Sequence, residues 1–275
     1  MSELKKLLLV LDELRRRALR IAIVLAPLFG FFLTFEIRWA TVGGIPWGVP
    51  YPWPSPFYNV TAQVFAWMRA DMLPPGETLI NIGVGDPVII QMEIGILLTV
   101  AVGMPWIIHE VGAFLMPALR RNERQLLKSL GVPATILFLV GFTIGLFWFT
   151  PFTFLLLFKY LQAMGLAPVL SAESFIEFAL LYTLAFGIAF ELPVFVYSLS
   201  RLGLVPAPFW RKHWRGAIVG CLVFGMIITP DNSGITMLLI ATPMSVLYFG
   251  GMYMAERHAR LTERARLLTI PEGSP

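Results

Sequence analysis

The sequence predicts an all-α integral membrane protein with six transmembrane helices and both termini in the cytoplasm. Hydrophobic residues make up 57% of the chain, charged residues only 14%, and the mean hydropathy is +0.74. A soluble domain has about a quarter of its residues charged. Of the 21 Lys and Arg residues, only Arg38, Arg69 and Lys159 fall in the connections that alternate with the basic segments. Because cytoplasmic loops retain Lys and Arg, this alternation determines the predicted orientation.

Six apolar runs define the predicted spans, because crossing a hydrocarbon core takes roughly 20 residues. We place the spans at approximately residues 19–38, 87–110, 129–156, 175–200, 214–230 and 234–255, within a single membrane domain that covers 1–275. The fifth run is short for a core about 30 Å thick. Either the bilayer thins beside it, or Trp214 and Arg215 extend the helix.

A short amphipathic helix is predicted on the inner membrane surface, running into the first span. Leu4, Leu7, Leu8, Leu11 and Leu14 follow the i, i+3, i+4, i+7 spacing of one helix face. The apolar stretch that they form is too brief, and too soon followed by acids, for a secretory signal peptide.

The largest segment outside the predicted spans, residues 37–86, is rich in Pro, Trp and Gly. Trp and Tyr favour the headgroup region, and Pro forces extended or turn geometry. We predict a loop that rests as a cap on the outer membrane face. A second connection, residues 229–234, contains Pro-Asp-Asn-Ser-Gly, which predicts a tight turn between the last two helices.

Glu191 is the sharpest intramembrane feature of the sequence. It lies near the middle of the fourth apolar run, where insertion of an acid costs about 2.5–3.5 kcal/mol, and such residues are usually functional. Pro193 follows two residues later and predicts a kink. The structural alternative is a protonated Glu191 that bonds to a nearby carbonyl or hydroxyl group. Glu93, in the second run, is a further candidate, although it lies close enough to the boundary to reach headgroups.

Two acids, Glu13 and Glu123, stand among arginines on the predicted cytoplasmic side. Orientation requires only the bases, so the acids need another explanation. One is a self-neutralising cluster of surface salt bridges, each contributing about 0–1 kcal/mol. The other is a site that accepts cationic side chains.

The sequence lacks the motifs of an enzyme, a cofactor site or a nucleic-acid partner. His109-Glu110 begins like a zinc-protease HExxH helix, but Ala113 replaces the second ligand, and no phosphate-binding GxxxxGK[ST] loop is present. A single cysteine, Cys221, excludes an intramolecular disulfide. The net charge of +4 is explained by membrane orientation. We therefore predict no catalysis, no metal and no bound cofactor.

Three motifs in the chain resemble those of one known family. Residues 11–19, Leu-Asp-Glu-Leu-Arg-Arg-Arg-Ala-Leu, are similar to its HLxELRxRL segment. Residues 114–124 resemble its first cytoplasmic loop, FxxPxLxxxER, and residues 185–193 resemble AFGxxFExP in its fourth span. By these motifs the chain is identified as a member of the TatC family, the multi-span subunit of the twin-arginine protein translocase.

The resemblance implies a receptor and scaffold in the cytoplasmic membrane of a prokaryote. TatC recognises the Arg-Arg pair of signal peptides on folded cargo proteins at the cytoplasmic face. It organises TatA- and TatB-type single-span partners, together with further copies of itself, for transport driven by the proton-motive force. The lipid bilayer surrounds the complex, and nucleic acid has no part in it.

The resemblance also implies roles for individual residues. Glu123 would be the principal acid for the signal arginines, with Glu13 and Arg15 beside it, and Phe114 and Pro117 would shape that site. Glu191 and Pro193 would belong to an intramembrane contact with TatA-type helices. The fifth span and its outer turn would dock TatB-type helices and the inserted signal, with Met226, Thr229 and Asp231 as candidate contacts.

Two other functions remain alternatives from the residues alone. A proton-coupled small-solute transporter would use Glu191 as its titrating group, although the repeats with discontinuous helices found in many transporters are not evident. An intramembrane protease would need a serine–histidine or di-aspartate constellation, which the sequence lacks.

Overall fold

The computed structural model describes residues 3–42, 45–74, 78–166, 169–229 and 234–268. The α-helices are α1 Glu3–Thr34, α2 Val60–Met72, α3 Asp86–Leu115, α4 Arg121–Ile144, α5 Thr150–Ala163, α6 Ala172–Phe190, α7 Leu192–Arg201, α8 Ala207–Lys212, α9 Trp214–Ile228 and α10 Gly234–Leu268. The strands are β1 Phe35–Val42, β2 Ile45–Pro54, β3 Leu79–Ile80 and β4 Leu170–Ser171. A 3₁₀ turn, Met116–Ala118, follows α3, and a π-helical turn, Gly145–Phe149, joins α4 to α5.

Five helical segments within the described residues are long and apolar enough to cross a bilayer. They are Val10–Thr34, Asp86–Leu115, Arg124–Ala163, Ala172–Arg201 and Gly234–Arg264. A shorter apolar helix, α9, has 15 residues. Prolines inside the long helices are tolerated because neighbouring groups satisfy the freed carbonyls. The chain is therefore a multi-pass helical membrane protein.

The N-terminal helix runs into the first apolar run, as predicted. Helix α1 continues without a break for 32 residues. Pro27 lies inside this helix and does not end it. The amphipathic spacing correctly indicates a helix, but periodicity does not show whether a helix bends where its composition changes.

The region 37–86 is more regular than a loop, and it adds strands to a protein predicted to be all-α. Strands β1 and β2 form an antiparallel hairpin, and α2 follows it. Pro50, Pro52 and Pro54 occupy alternate positions of β2. The positions at which these residues lack a backbone N–H therefore all lie on the free edge of the strand. On the free edge of β1, the Gln63 amide bonds the backbone N–H and C=O of Ile37 at 3.4 Å and 3.1 Å. Both hairpin edges are thus closed to a further strand.

The chain folds as two compact units, and each unit combines two stretches that are separated in sequence. The first unit comprises residues 1–118 and 145–184. The second comprises residues 119–144 and 185–275. The fourth apolar run is therefore shared, with most of α6 in the first unit and α7 in the second.

In the first unit, α1 packs closely against α3. A Cβ on Gly103 of α3 would meet a methyl carbon of Leu25 on α1, so the Leu25 side chain would have to move. The fully buried Asn59 caps α2 and also donates to the carbonyl of Leu33, at the end of α1, and to Gln91 on α3. These contacts hold three helices of the unit in register.

In the second unit, α10 packs against both α7 and α9. A Cβ on Gly251 would lie 2.8 Å from the Cα of Pro193 on α7. The indole N–H of Trp210, on α8, donates to Ser200 at 2.7 Å, and the Tyr248 hydroxyl, on α10, donates to the Trp210 carbonyl at 2.7 Å. Cys221, Ala189, Ala241 and Met244 form part of the apolar core of this unit.

Candidate functional site

Three charged side chains meet in the first unit where α1 approaches the last turns of α3. The guanidinium of Arg17 donates through Nε to Glu13 Oε1 at 2.7 Å and through Nη1 to Glu110 Oε2 at 2.9 Å. We call Glu13, Arg17 and Glu110 the carboxylate–arginine triad. Glu13 and Arg17 are four residues apart, so α1 presents them on one face.

The members of the triad differ in their access to solvent. The Glu110 side chain is 3% exposed, that of Arg17 19% and that of Glu13 30%. A buried carboxylate without a counterion is costly, so Arg17 is the group that makes a buried charge at Glu110 tolerable. Charge-assisted bonds from an Arg fork are among the strongest hydrogen bonds in proteins. The triad therefore has a fixed inner end at Glu110 and a more accessible end at Glu13.

Two further basic side chains approach the triad more loosely. Arg16 lies 4.0 Å from Glu13 Oε2 with a side chain that is 67% exposed. His109 Nδ1 lies 3.9 Å from Glu110 Oε1 and is similarly exposed. Exposed pairs at such distances contribute little, because water screens them. Arg17 is thus the dominant partner of both carboxylates.

Some of the residues predicted to bind the signal peptide lie close to members of the triad in the sequence. Phe114 lies one helical turn beyond Glu110 on α3 and is half-buried. Pro117 lies in the following 3₁₀ turn and is exposed, as is Arg15 on α1. Glu123 lies in the first turn of α4, in the second unit, and its side chain falls outside the described residues.

Glu191 separates two helices of the fourth apolar run. Helix α6 ends at Phe190 and α7 begins at Leu192, so the interruption predicted from Pro193 occurs at Glu191 itself. The Glu191 amide bonds the carbonyl of Ile188 at 3.0 Å. Its carboxylate oxygen Oε1 is buried and has no hydrogen-bond partner among the described residues. The alternative, a protonated Glu191 that bonds to a nearby carbonyl or hydroxyl group, would therefore have to use the other oxygen, Oε2.

The candidate docking residues of the fifth span have different environments. Met226 is 54% exposed on α9. Thr229 is buried, and its hydroxyl donates to the carbonyl of Gly225 at 3.0 Å, which completes the end of the helix. Asp231 lies outside the described residues.

Arg17 and Glu110 are the residues that the sequence reasoning missed. In the sequence, Arg17 is only one of several orienting bases, and Glu110 is only part of an incomplete zinc motif. One signal was present, since Glu110 is an acid at the end of an apolar run. Its partner, however, is 93 residues away in the chain, a separation that no local pattern reveals. Among the described residues, no three His, Cys, Asp or Glu side chains are grouped so as to hold a metal ion.

The helices and the triad together define a class: multi-pass helical membrane proteins with a carboxylate–arginine cluster where one long helix approaches the last turns of another. Within that class, residues 9–243 match the family described as Sec-independent protein translocase protein (TatC). The chain therefore belongs to the TatC family, and the family predicted from its motifs is confirmed. It is a component of a protein-transport system, and this is a translocase family, not an enzyme family.

Similarity to individual members extends over most of the chain. The TatC protein of Cenarchaeum symbiosum is 39% identical over 255 residues, which cover 93% of this chain and 96% of that protein. The TatC protein of Escherichia coli K12 is 30% identical over 183 residues, 66% of this chain and 70% of that protein. A crystal structure of the twin arginine translocase receptor TatC superposes with a TM-score of 0.70 at 27% identity, covering 90% of this chain and 98% of that one.

Proposed function

We propose that this protein is the receptor and scaffold subunit of a twin-arginine translocase, and that it binds the Arg-Arg signal peptides of folded cargo proteins. Glu123 and Glu13 accept the two signal arginines, while Arg15, Phe114 and Pro117 line the site. Membership of the family supports the class of activity. The observation that carries the assignment in this chain is that Glu13 already binds a guanidinium, that of Arg17, at 2.7 Å.

The chemistry of arginine accounts for the selectivity that such a receptor needs. A guanidinium presents a planar fork of donors that pairs with a carboxylate in two parallel bonds, whereas an ammonium is a point charge. A site that already orients a carboxylate for the Arg17 fork suits a second guanidinium better than a lysine. Arg-Arg signals are therefore expected to bind more tightly than Lys-Lys signals.

The proposed topology has six spans with both termini in the cytoplasm, α9 being the fifth span. The distribution of basic residues supports it, because Arg38, Arg69 and Lys159 alone lie on the connections assigned to the outer face. The 15 residues of α9 reach only about 22 Å. A bilayer core of about 30 Å would thin beside this helix, which would ease entry of an apolar signal segment.

The protein is proposed to organise TatA- and TatB-type single-span subunits, and further copies of itself, for transport driven by the proton-motive force. Glu191 and Pro193 are the proposed contact for TatA-type helices, since an unpartnered carboxylate oxygen inside a span calls for a polar partner. Met226, Thr229 and Asp231 are the proposed docking region for TatB-type helices. The exposure of Met226 on α9 supports its part in this surface.

Peptide binding to the purified protein in nanodiscs tests the receptor function. An Arg-Arg signal peptide should bind, a Lys-Lys version should bind at least about tenfold more weakly, and Glu123→Ala should abolish binding. The matched control is Glu263→Ala, which removes an exposed glutamate from α10 and should leave the affinity unchanged. Equal affinity for the two peptides would refute the proposal.

The buried oxygen of Glu191 also favours one alternative, a proton-coupled solute transporter. That function predicts proton-dependent solute uptake by this chain alone in liposomes, lost in Glu191→Gln. The receptor function instead predicts no uptake by the chain alone, so the same liposomes discriminate between the two.

A further inference from the structure

In the triad, Arg17 already occupies the Glu13 carboxylate that the proposed receptor would need for a signal arginine. Glu13 Oε1 already accepts the Nε–H of Arg17 at 2.7 Å. A signal arginine that binds Glu13 must therefore displace a resident guanidinium or share the carboxylate with it. The second carboxylate of the triad, Glu110, decides which of these happens.

We infer that Arg17 competes with a signal arginine for the carboxylate of Glu13. Glu110 is then the positioning residue that keeps Arg17 bound when Glu13 pairs with the signal arginine. The inference rests on the proposed receptor function and deepens it. Glu110 itself touches no signal residue in this scheme. It acts through Arg17.

The geometry of the Arg17 fork makes the exchange possible. Different nitrogens serve the two carboxylates: Nε faces Glu13, and Nη1 faces Glu110 at 2.9 Å. Breaking the bond to Glu13 leaves the bond to Glu110 in place, so Arg17 remains paired throughout. Among the described residues, Glu13 and Glu110 are the only carboxylates close to Arg17. If Glu110 carried no charge, an Arg17 side chain that left Glu13 would have no carboxylate partner, so breaking its bond to Glu13 would be costly.

The charges of the triad lead to the same conclusion. Within the triad, two carboxylates share the single guanidinium of Arg17, and the exposed Arg16 adds only a screened charge 4.0 Å from Glu13. If Glu110 were neutral, Arg17 would cancel Glu13 and the triad would offer an incoming guanidinium no net attraction. The charge of the less exposed acid therefore determines whether the more exposed acid, Glu13, can act.

A purely structural role is the competing explanation, in which Arg17 only joins α1 to α3. The two explanations predict opposite effects of one substitution on the affinity for the signal peptide. Arg17→Lys keeps the positive charge, but a single ammonium cannot bridge both carboxylates as the fork does. If Arg17 competes, the lysine stays with the more buried Glu110, Glu13 is released, and signal binding tightens. If Arg17 only joins the helices, its loss loosens the site and binding weakens.

The test measures binding of an Arg-Arg signal peptide to nanodisc-embedded variants. Glu110→Gln, which keeps an acceptor for Arg17 but removes the charge, should weaken binding about tenfold, the effect of losing one charge-assisted bond. Arg17→Lys should tighten binding several-fold. The double variant Arg17→Gln with Glu110→Gln removes the competitor as well, so binding should return at least to the level of the unsubstituted protein.

The matched control is Asp12→Asn, which removes one negative charge from an exposed position next to Glu13 and should have little effect. Circular dichroism of each variant confirms that it is folded. If Glu110→Gln misfolds, the direction of the Arg17→Lys effect still decides the outcome.

Three results would overturn the inference: unchanged binding in folded Glu110→Gln, weaker binding in Arg17→Lys, or no recovery in the double variant. If the unsubstituted protein binds Arg-Arg over Lys-Lys peptides while any of these holds, the inference alone fails. If the unsubstituted protein does not discriminate between the peptides, the proposed function fails with it.

Discussion

Substitution of Asn59 is predicted to destabilise the first unit more than any exposed polar substitution. The side chain is fully buried. Its Nδ2 donates to the carbonyl of Leu33 at 2.8 Å and to Gln91 Oε1 at 2.9 Å. Its Oδ1 accepts the hydroxyl of Thr61 at 2.7 Å and the amide of Ala62 at 2.9 Å. One side chain therefore caps α2 and connects it to α1 and α3.

The magnitude follows from the groups that Asn59→Ala leaves unpaired. Loss of an N-cap costs about 1 kcal/mol. A buried acceptor left without its donor costs about 1–3 kcal/mol, and both Leu33 and Gln91 lose a donor. Because both of these contacts are only partly buried, water can recover part of this loss, and we expect the free energy of unfolding to fall by about 2–4 kcal/mol. Asn59→Asp keeps the cap, but it places a carboxylate oxygen opposite the acceptor oxygens of Leu33 and Gln91. It should therefore be at least as destabilising as Asn59→Ala.

The assay is reversible unfolding by SDS in mixed micelles, followed by far-ultraviolet circular dichroism. Asn81→Ala is the matched control, since its amide bonds the carbonyl of Gly83 at 2.7 Å in an exposed loop. This control should change the free energy by less than about 0.5 kcal/mol. The reasoning is refuted if Asn59→Ala matches the control, or if Asn59→Asp is as stable as the unsubstituted protein.

Two further predictions concern the second unit. Gly251→Ala should lower the free energy of unfolding by about 1–3 kcal/mol, since its Cβ would lie 2.8 Å from the backbone of α7, while the adjacent Gly250→Ala, with nothing within 4 Å, should be nearly neutral. The same SDS titration compares the two, and equal stability would contradict the close approach. The thiol of Cys221 is buried and should resist maleimide labelling until the unit unfolds, so mass spectrometry should detect faster labelling in Gly251→Ala than in Gly250→Ala.

Hydrophobic runs and the placement of bases were enough to predict a multi-pass helical protein, and three local motifs were enough to predict its family. These signals are local, because bilayer insertion and helix formation depend on residues close in the chain. The interruption at Glu191 was likewise predictable, since Pro193 lies within two residues of it. The topology and the roles assigned to all of the candidate site residues remain predictions.

The hairpin of residues 35–54 was not predicted, although its prolines were noted. Proline usually argues against a strand, and only alternate placement on a free edge makes it compatible with pairing. The edge contact from Gln63 that completes the arrangement comes from a different element. The continuity of α1 with the first span was predicted, because the amphipathic and apolar patterns follow one another without a stop signal.

The sequence by itself determined that this protein crosses a membrane several times, and to which family it belongs, because each property is written in short stretches of chain. Only the tertiary structure decided that Glu110 of α3 joins the local pair of Glu13 and Arg17. An ion pair across 93 residues depends on how closely two helices approach, here with Leu25 of α1 lying against Gly103 of α3. Such distances are set by packing, which no local pattern of residues encodes.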